Sequence, residues 1–351
     1  MSSRASSPFR IILFAIITFT LVNTSNAQLD TSALSASINQ SRAKLGKNTV
    51  VLLYKDGKIV YKKEAGEFNA KTQQPIGTTS QWLTAALVMS FVQEGKLSLD
   101  DKVSTYLPIF QKYYKGFITI RHCLTHYTGI QSDEGVSKIF SKSKFKSLEE
   151  EVNGYASKKD IGTNAGTEFR YSNMGFNIVG HVLEVISKKG FDRLMRDKIL
   201  QPSGMKNTTF SSENYNDAIS PSTGARSTAT DLINFMTMLL NKGTFNNKQV
   251  LTESSVAMLH SLQVSPDKMK YVPPTLQGLD YGLGEWILEA DAQGKPVAVG
   301  VPSLQGTWPM VDLCRRYAFV VFTKETSGEQ RRDLYMNLKA TIDDGMPGAC
   351  K

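Results

Sequence analysis

The chain has 351 residues, 41% hydrophobic and 21% charged, with a formal charge of +9 at pH 7. That length supports a sizeable core arranged in two lobes at most. No CxxC, HExxH or GxGxxG occurs, so neither a metal site nor a dinucleotide site has sequence support, and no cofactor is expected.

Residues 1–27 read as a cleaved export signal: Arg4 and Arg10, the apolar run "IILFAIITFTLV", then small residues before Gln28. The run is too short to span a bilayer comfortably, so no transmembrane anchor is expected after cleavage. The destination is periplasmic or extracellular. The signal carries two arginines and no acid, which leaves +7 on residues 28–351. On an exported protein such a surplus meets anionic envelope polymers or simply solvates the surface, and nucleic acid is not the expected partner.

A helix is predicted at about 30–46, followed by two strands, "TVVLLYKDG" and "KIVYKKEAG", turning at Asp56-Gly57. From Thr78 to Glu94 the chain is apolar nearly all round, as in a helix buried on every side. Residues 119–165 read as a loop-rich, charged helical lobe, with an exposed Lys/Glu-rich helical face in 137–160. A further helix is predicted at about 175–188. Another begins near "STATDLINF", where Leu232, Phe235, Met236, Leu239 and Leu240 keep core spacing. The end returns to strands in "YGLGEWILE", "GTWPMVD" and "YAFVVFTKE", then a helix at about 328–343 with Leu334, Leu338 and Ile342 on one face. This order predicts one sheet built from both ends of residues 28–351 (about 28–77 and 275–351), with a helical lobe (about 78–274) inserted. Cys123 is expected to be a buried thiol, while Cys314 and Cys350 are candidates for a disulfide in an oxidising compartment.

Six landmarks in order, "EGKLSLDDKVSTYLP", "ITIRHCLTHYTGI", "FRYSNMGFNIVGHVLEVIS", "LQPSGMKNTTF", "GARSTATDLINF" and "YGLGEWI", give the chain a further reading. It resembles the β-lactamase-related serine hydrolases: class C β-lactamases, D-alanyl-D-alanine carboxypeptidases and penicillin-binding-protein-like esterases. The resemblance covers about 50–325 and implies an α/β (α+β) fold of the β-lactamase/transpeptidase type, an antiparallel sheet flanked by helices. It also implies acyl transfer through an acyl-enzyme, on a peptidoglycan-like peptide, a β-lactam or a small ester.

The family's Ser-x-x-Lys places nucleophile and amine on one helix face. Here its register falls on Thr78 and Gln81. A threonine hydroxyl serves as a nucleophile where a base activates it, but an amide has no proton affinity near neutrality. Ser80 would point to another face. The family's Tyr-x-Asn is intact as Tyr171-Ser172-Asn173, with Asn173 a substrate-binding position, yet Tyr171 lacks the cation that would make it a base. The third motif aligns with Val301-Pro302-Ser303, where the valine has lost the side-chain function and the Leu304 N–H remains a candidate oxyanion donor. His122, His126, His181 and His260 are read as structural, and no G-x-S-x-G elbow accompanies them. The residues therefore point to an impaired or inactive enzyme with a residual peptide- or acyl-binding groove. Two alternatives stand beside it: an active hydrolase using Thr78, and a non-enzymatic cell-wall-binding protein.

Overall fold

The computed structural model describes residues 30–132, 135, 145–211, 217–323, 331–346 and 350. The export signal expected at 1–27 lies outside them, as does part of the Lys/Glu-rich stretch, 136–144. Helix α1 (Ser32–Gln40) ends at Ser41 and is followed by a separate turn of helix at Arg42–Leu45, where one helix was predicted. Strands β1 (Thr49–Lys55) and β2 (Lys58–Ala65) form the predicted hairpin, with Asp56 and Gly57 at φ 49° and 84°. Both central turn residues therefore take the left-handed conformation that an Asp-Gly pair adopts easily.

The buried helix α2 (Ser80–Gln93) has residues 80–91 all buried, which accounts for its lack of a polar face. The short α3 (Ile120–Leu124) opens with a reciprocal cap: Thr119 Oγ1 accepts the His122 N–H, and His122 Nδ1 accepts the Thr119 N–H. Helix α4 (Leu148–Lys158) is capped by Ser147 and presents Glu149, Glu150 and Glu151 in its first turn, where the helix dipole favours them. The lobe is completed by α5 (Met174–Ser187), α6 (Ala229–Leu240) and α7 (Glu253–His260). Strands β3 (Asp280–Tyr281), β4 (Trp286–Ala290), β5 (Pro296–Gly300), β6 (Trp308–Asp312) and β7 (Tyr317–Thr323) follow, then α8 (Arg331–Asp344).

These strands make one seven-stranded antiparallel sheet in the order β3-β4-β5-β6-β7-β1-β2. β7 pairs with β1 from Thr49↔Thr323 to Lys55↔Tyr317, so both ends of the domain meet in the sheet as predicted. One sheet face carries Val50, Leu52, Val320 and Phe322 into a core shared with α2 and α6. The other carries Val51, Leu53, Phe319 and Val321 against α1 and α8, where Leu334, Leu338 and Ile342 are buried. Cys314 and Cys350 form a disulfide, and Cys123 is a free, buried thiol. Among the described residues no helix is long and apolar enough to cross a membrane.

Candidate functional site

The chain enters α2 through a 3-10 turn, Gly77–Thr79, with Gly77 at φ 52°. The Ser80 hydroxyl donates to Gly77 O (2.6 Å) and accepts the Ala225 N–H (3.1 Å), while the Ile76 N–H donates to Ala225 O (3.0 Å). Ser80 is thus committed to pinning the helix start against residues 225–227, and its hydroxyl faces away from chemistry. Thr79 Oγ1 donates to Val301 O at 2.8 Å, and Thr78 Oγ1 reaches Pro302 O at 3.4 Å, a long bond. These contacts bring the helix start against the segment leaving β5, so the first and third motif positions meet in space.

Thr78, Gln81 and Trp286 are 0% exposed and Tyr171 1%. The Tyr171 hydroxyl faces Thr78, Gln81 and Trp286 but forms a geometrically sound hydrogen bond with none of them. Both polar atoms of the Gln81 amide and the Trp286 indole N–H are likewise buried without a partner. Burial pushes the Tyr171 phenol well above its ordinary 10, and the polar neighbours that oppose this, Thr78, Gln81 and Trp286, are all neutral. Tyr171 is therefore a donor at neutral pH and not a base. The cluster holds an alcohol, a phenol, an amide and an indole, with no group among them that takes a proton near neutrality.

The loop before α5 is held from behind by His126. The Ser172 N–H donates to His126 Nδ1 at 3.3 Å, so the other nitrogen carries the proton and donates to the Tyr281 hydroxyl at 3.0 Å. The ring lies among Phe169, Tyr171, Phe176 and Tyr281, and burial pushes its pKa from 6.5 down to about 3. Asn173 sits half-buried at the start of α5. Ser303 closes a tight turn: its N–H donates to Thr307 O (2.8 Å) and its hydroxyl accepts the Gln305 N–H (3.1 Å). Leu304 follows, 8% exposed.

Two features escaped the sequence reading. Trp286 was part of the landmark "YGLGEWI", but nothing in a strand pattern says that its indole reaches Tyr171. Beside it Glu285, 0% exposed, accepts the Trp82 indole N–H (2.6 Å) and pairs with His260 Nδ1 (2.6 Å), forming a polar tie behind α2. The only signal was an acidic residue inside an apolar run. The remaining histidines are also engaged, His122 in the α3 cap and His181 with Glu184 at 3.1 Å. One cluster among the described residues has the ligand types of a metal site, Glu289, Asp312 and Asp343. The Lys339 ammonium already fills it, at 2.7, 3.2 and 2.6 Å from the three carboxylates.

A helix start, a Tyr-x-Asn loop and a strand end converging beside an antiparallel sheet form the site architecture of the penicillin-recognising hydrolases and their relatives. The chain belongs to the beta-lactamase family, which it matches over residues 41–341. It is similar to Protein flp of Staphylococcus aureus strain MW2, 28% identical over 179 residues, which is 47% of this chain and 35% of that protein. The chain therefore matches well under two thirds of that curated relative's length. Among solved structures it resembles a beta-lactamase candidate from Bacteroides dorei DSM 17855, with a TM-score of 0.78, 23% identity, and coverage of 90% of this chain and 99% of that one. It also resembles EstCE1, described as a hydrolase with promiscuous acyltransferase activity, with a TM-score of 0.72, 19% identity and coverage of 88% and 97%.

Proposed function

We propose that this chain is an exported member of the beta-lactamase family that has lost the machinery of acylation. It retains a buried polar cluster and, with the half-buried Asn173 beside it, would bind a peptide-like or acyl ligand. The observation that carries this reading is Gln81. Its amide stands where the resemblance puts the activating lysine, fully buried and without a hydrogen bond, facing a phenol that burial keeps protonated. A nucleophile and its base act as a unit, and removing one member commonly costs orders of magnitude in rate while removing the second adds little. The Thr78 hydroxyl keeps only a long bond to Pro302 O and has no base to take its proton.

The test is covalent labelling with a fluorescent penicillin, alongside hydrolysis of short-chain p-nitrophenyl esters. The unmodified chain, Thr78→Ser, Gln81→Lys, the double variant and Thr78→Ala are compared. Label and turnover are expected only in the double variant. Labelling of the unmodified chain that disappears in Thr78→Ala would overturn the reading and establish Thr78 as a nucleophile. Export is tested separately, by sequencing the N-terminus of the secreted product, which is expected to begin at Gln28.

A further inference from the structure

A second candidate site lies away from this cluster, on the β2 edge of the sheet. Between β2 and α6 runs a groove of about 990 Å³. Its floor is apolar, formed by Leu52, Tyr54, Ile59, Ile233 and Phe245. Ile59 is 43% exposed and lines the groove. Three lysines, Lys58, Lys62 and Lys71, stand on the rim, opposed by Glu64. That carboxylate is occupied: it accepts the Ala70 N–H at 2.8 Å and lies 3.6 Å from Lys62. Thr237 also lines the groove, 6% exposed, with a buried hydroxyl that has no partner.

β2 closes the sheet order, so one of its edges pairs with β1 and no strand among the described residues pairs with the other. An edge of this kind offers backbone N–H and C=O groups to an incoming extended chain. The lysines select what can approach. They repel a second copy of this edge, which would set lysine against lysine, and attract a segment bearing carboxylates. We propose that the groove binds an extended acidic peptide segment that adds to the β2 edge as a further strand. The register puts Ile59 and Lys62 on the groove side and Lys58 on the other, so the side chains that the segment turns into the groove are apolar beside Ile59 and Phe245 and acidic beside Lys62 and Lys71, while one on its other side meets Lys58.

The experiment uses the full chain and two fluorescein-labelled seven-residue peptides, Val-Val-Glu-Glu-Val-Val-Glu, which sets both residue types on each side of an extended strand, and the same peptide with Lys in place of Glu. Binding is read by anisotropy across a salt series, and its location by peptide-resolved hydrogen exchange. The Val/Glu peptide is expected to bind more weakly as salt rises, to slow exchange within Lys58–Ala65, and to lose about tenfold or more in affinity with the Lys62→Glu/Lys71→Glu variant. An unchanged melting curve for that variant separates lost binding from lost folding. Equal binding of both peptides, protection elsewhere, or no binding at millimolar peptide would overturn the proposal. So would protection of β2 that grows with protein concentration alone, which would make the occupant a second copy of the chain.

Discussion

His126 offers the sharpest quantitative test, because its environment fixes both its tautomer and its charge. The folded chain holds the ring neutral down to about pH 3, whereas an unfolded chain protonates it near 6.5. The folded pKa is depressed, so its contribution to stability is fully present above 6.5 and is lost as the pH falls toward 3. Between pH 7 and pH 4 the single-site linkage amounts to about 3 kcal/mol. His126→Gln is the matched perturbation. An amide can still accept the Ser172 N–H and donate to the Tyr281 hydroxyl, but it does not titrate. Urea unfolding followed by tryptophan fluorescence at half-unit pH steps gives stability for both chains. The variant is expected to start lower, because a glutamine fills the aromatic cage poorly, and then to lose about 3 kcal/mol less than the unmodified chain on acidification. Parallel stability curves would refute the reasoning, since they would mean that the buried ring is protonated in the folded state without penalty.

Removing the carboxylate that joins Trp82 and His260, by Glu285→Ala, is expected to cost about 3–5 kcal/mol in urea unfolding, with Glu285→Gln less damaging because it still accepts the indole N–H. Ser80→Ala removes two buried bonds at the helix start and is expected to lower stability by about 1–3 kcal/mol; placed in the Thr78→Ser/Gln81→Lys background it should leave penicillin labelling per folded molecule unchanged, and a loss there would give Ser80 a part in the chemistry. With Cys314 and Cys350 paired and Cys123 buried, its thiol pushed up by burial, Ellman's reagent is expected to titrate no thiol in the native chain and one after denaturation without reductant; two or more additional thiols would deny the disulfide.

What could be read from the sequence depended on how local the cause was. The Asp56-Gly57 turn, the all-round apolar α2 and the Leu334/Leu338/Ile342 stripe follow from conformational preference and periodicity within a few residues, and each stands where it was predicted. Thr78, Gln81 and Tyr171 were found by resemblance, and the structure brings them together. Their complete burial was not legible, because it involves Trp286, far from all three in sequence. The single helix predicted at about 30–46 breaks at Ser41, and α2 begins two residues later than Thr78, after a 3-10 turn. That second difference has a distant cause, the bonds from residues 76 and 80 to Ala225, which no local pattern encodes. The Glu285 tie was hidden for the same reason.

The pairing of β1 with β7 has a consequence for how the molecule is made. Val51 meets Val321 and Leu53 meets Phe319 across more than 260 residues of intervening chain, so the centre of the sheet cannot form until the last strand exists. Contacts of such separation fold slowly, since the loop entropy is spent before the contact rewards it. Until then the faces of α2 and α6 that rest on the sheet are open to solvent, as is the second, α8-facing side of β1. A nascent form of this chain that lacks the last strand is therefore expected to be an unclosed species with apolar faces exposed. Its vulnerability to proteases and chaperones is expected to end abruptly, with the arrival of residues 317–323.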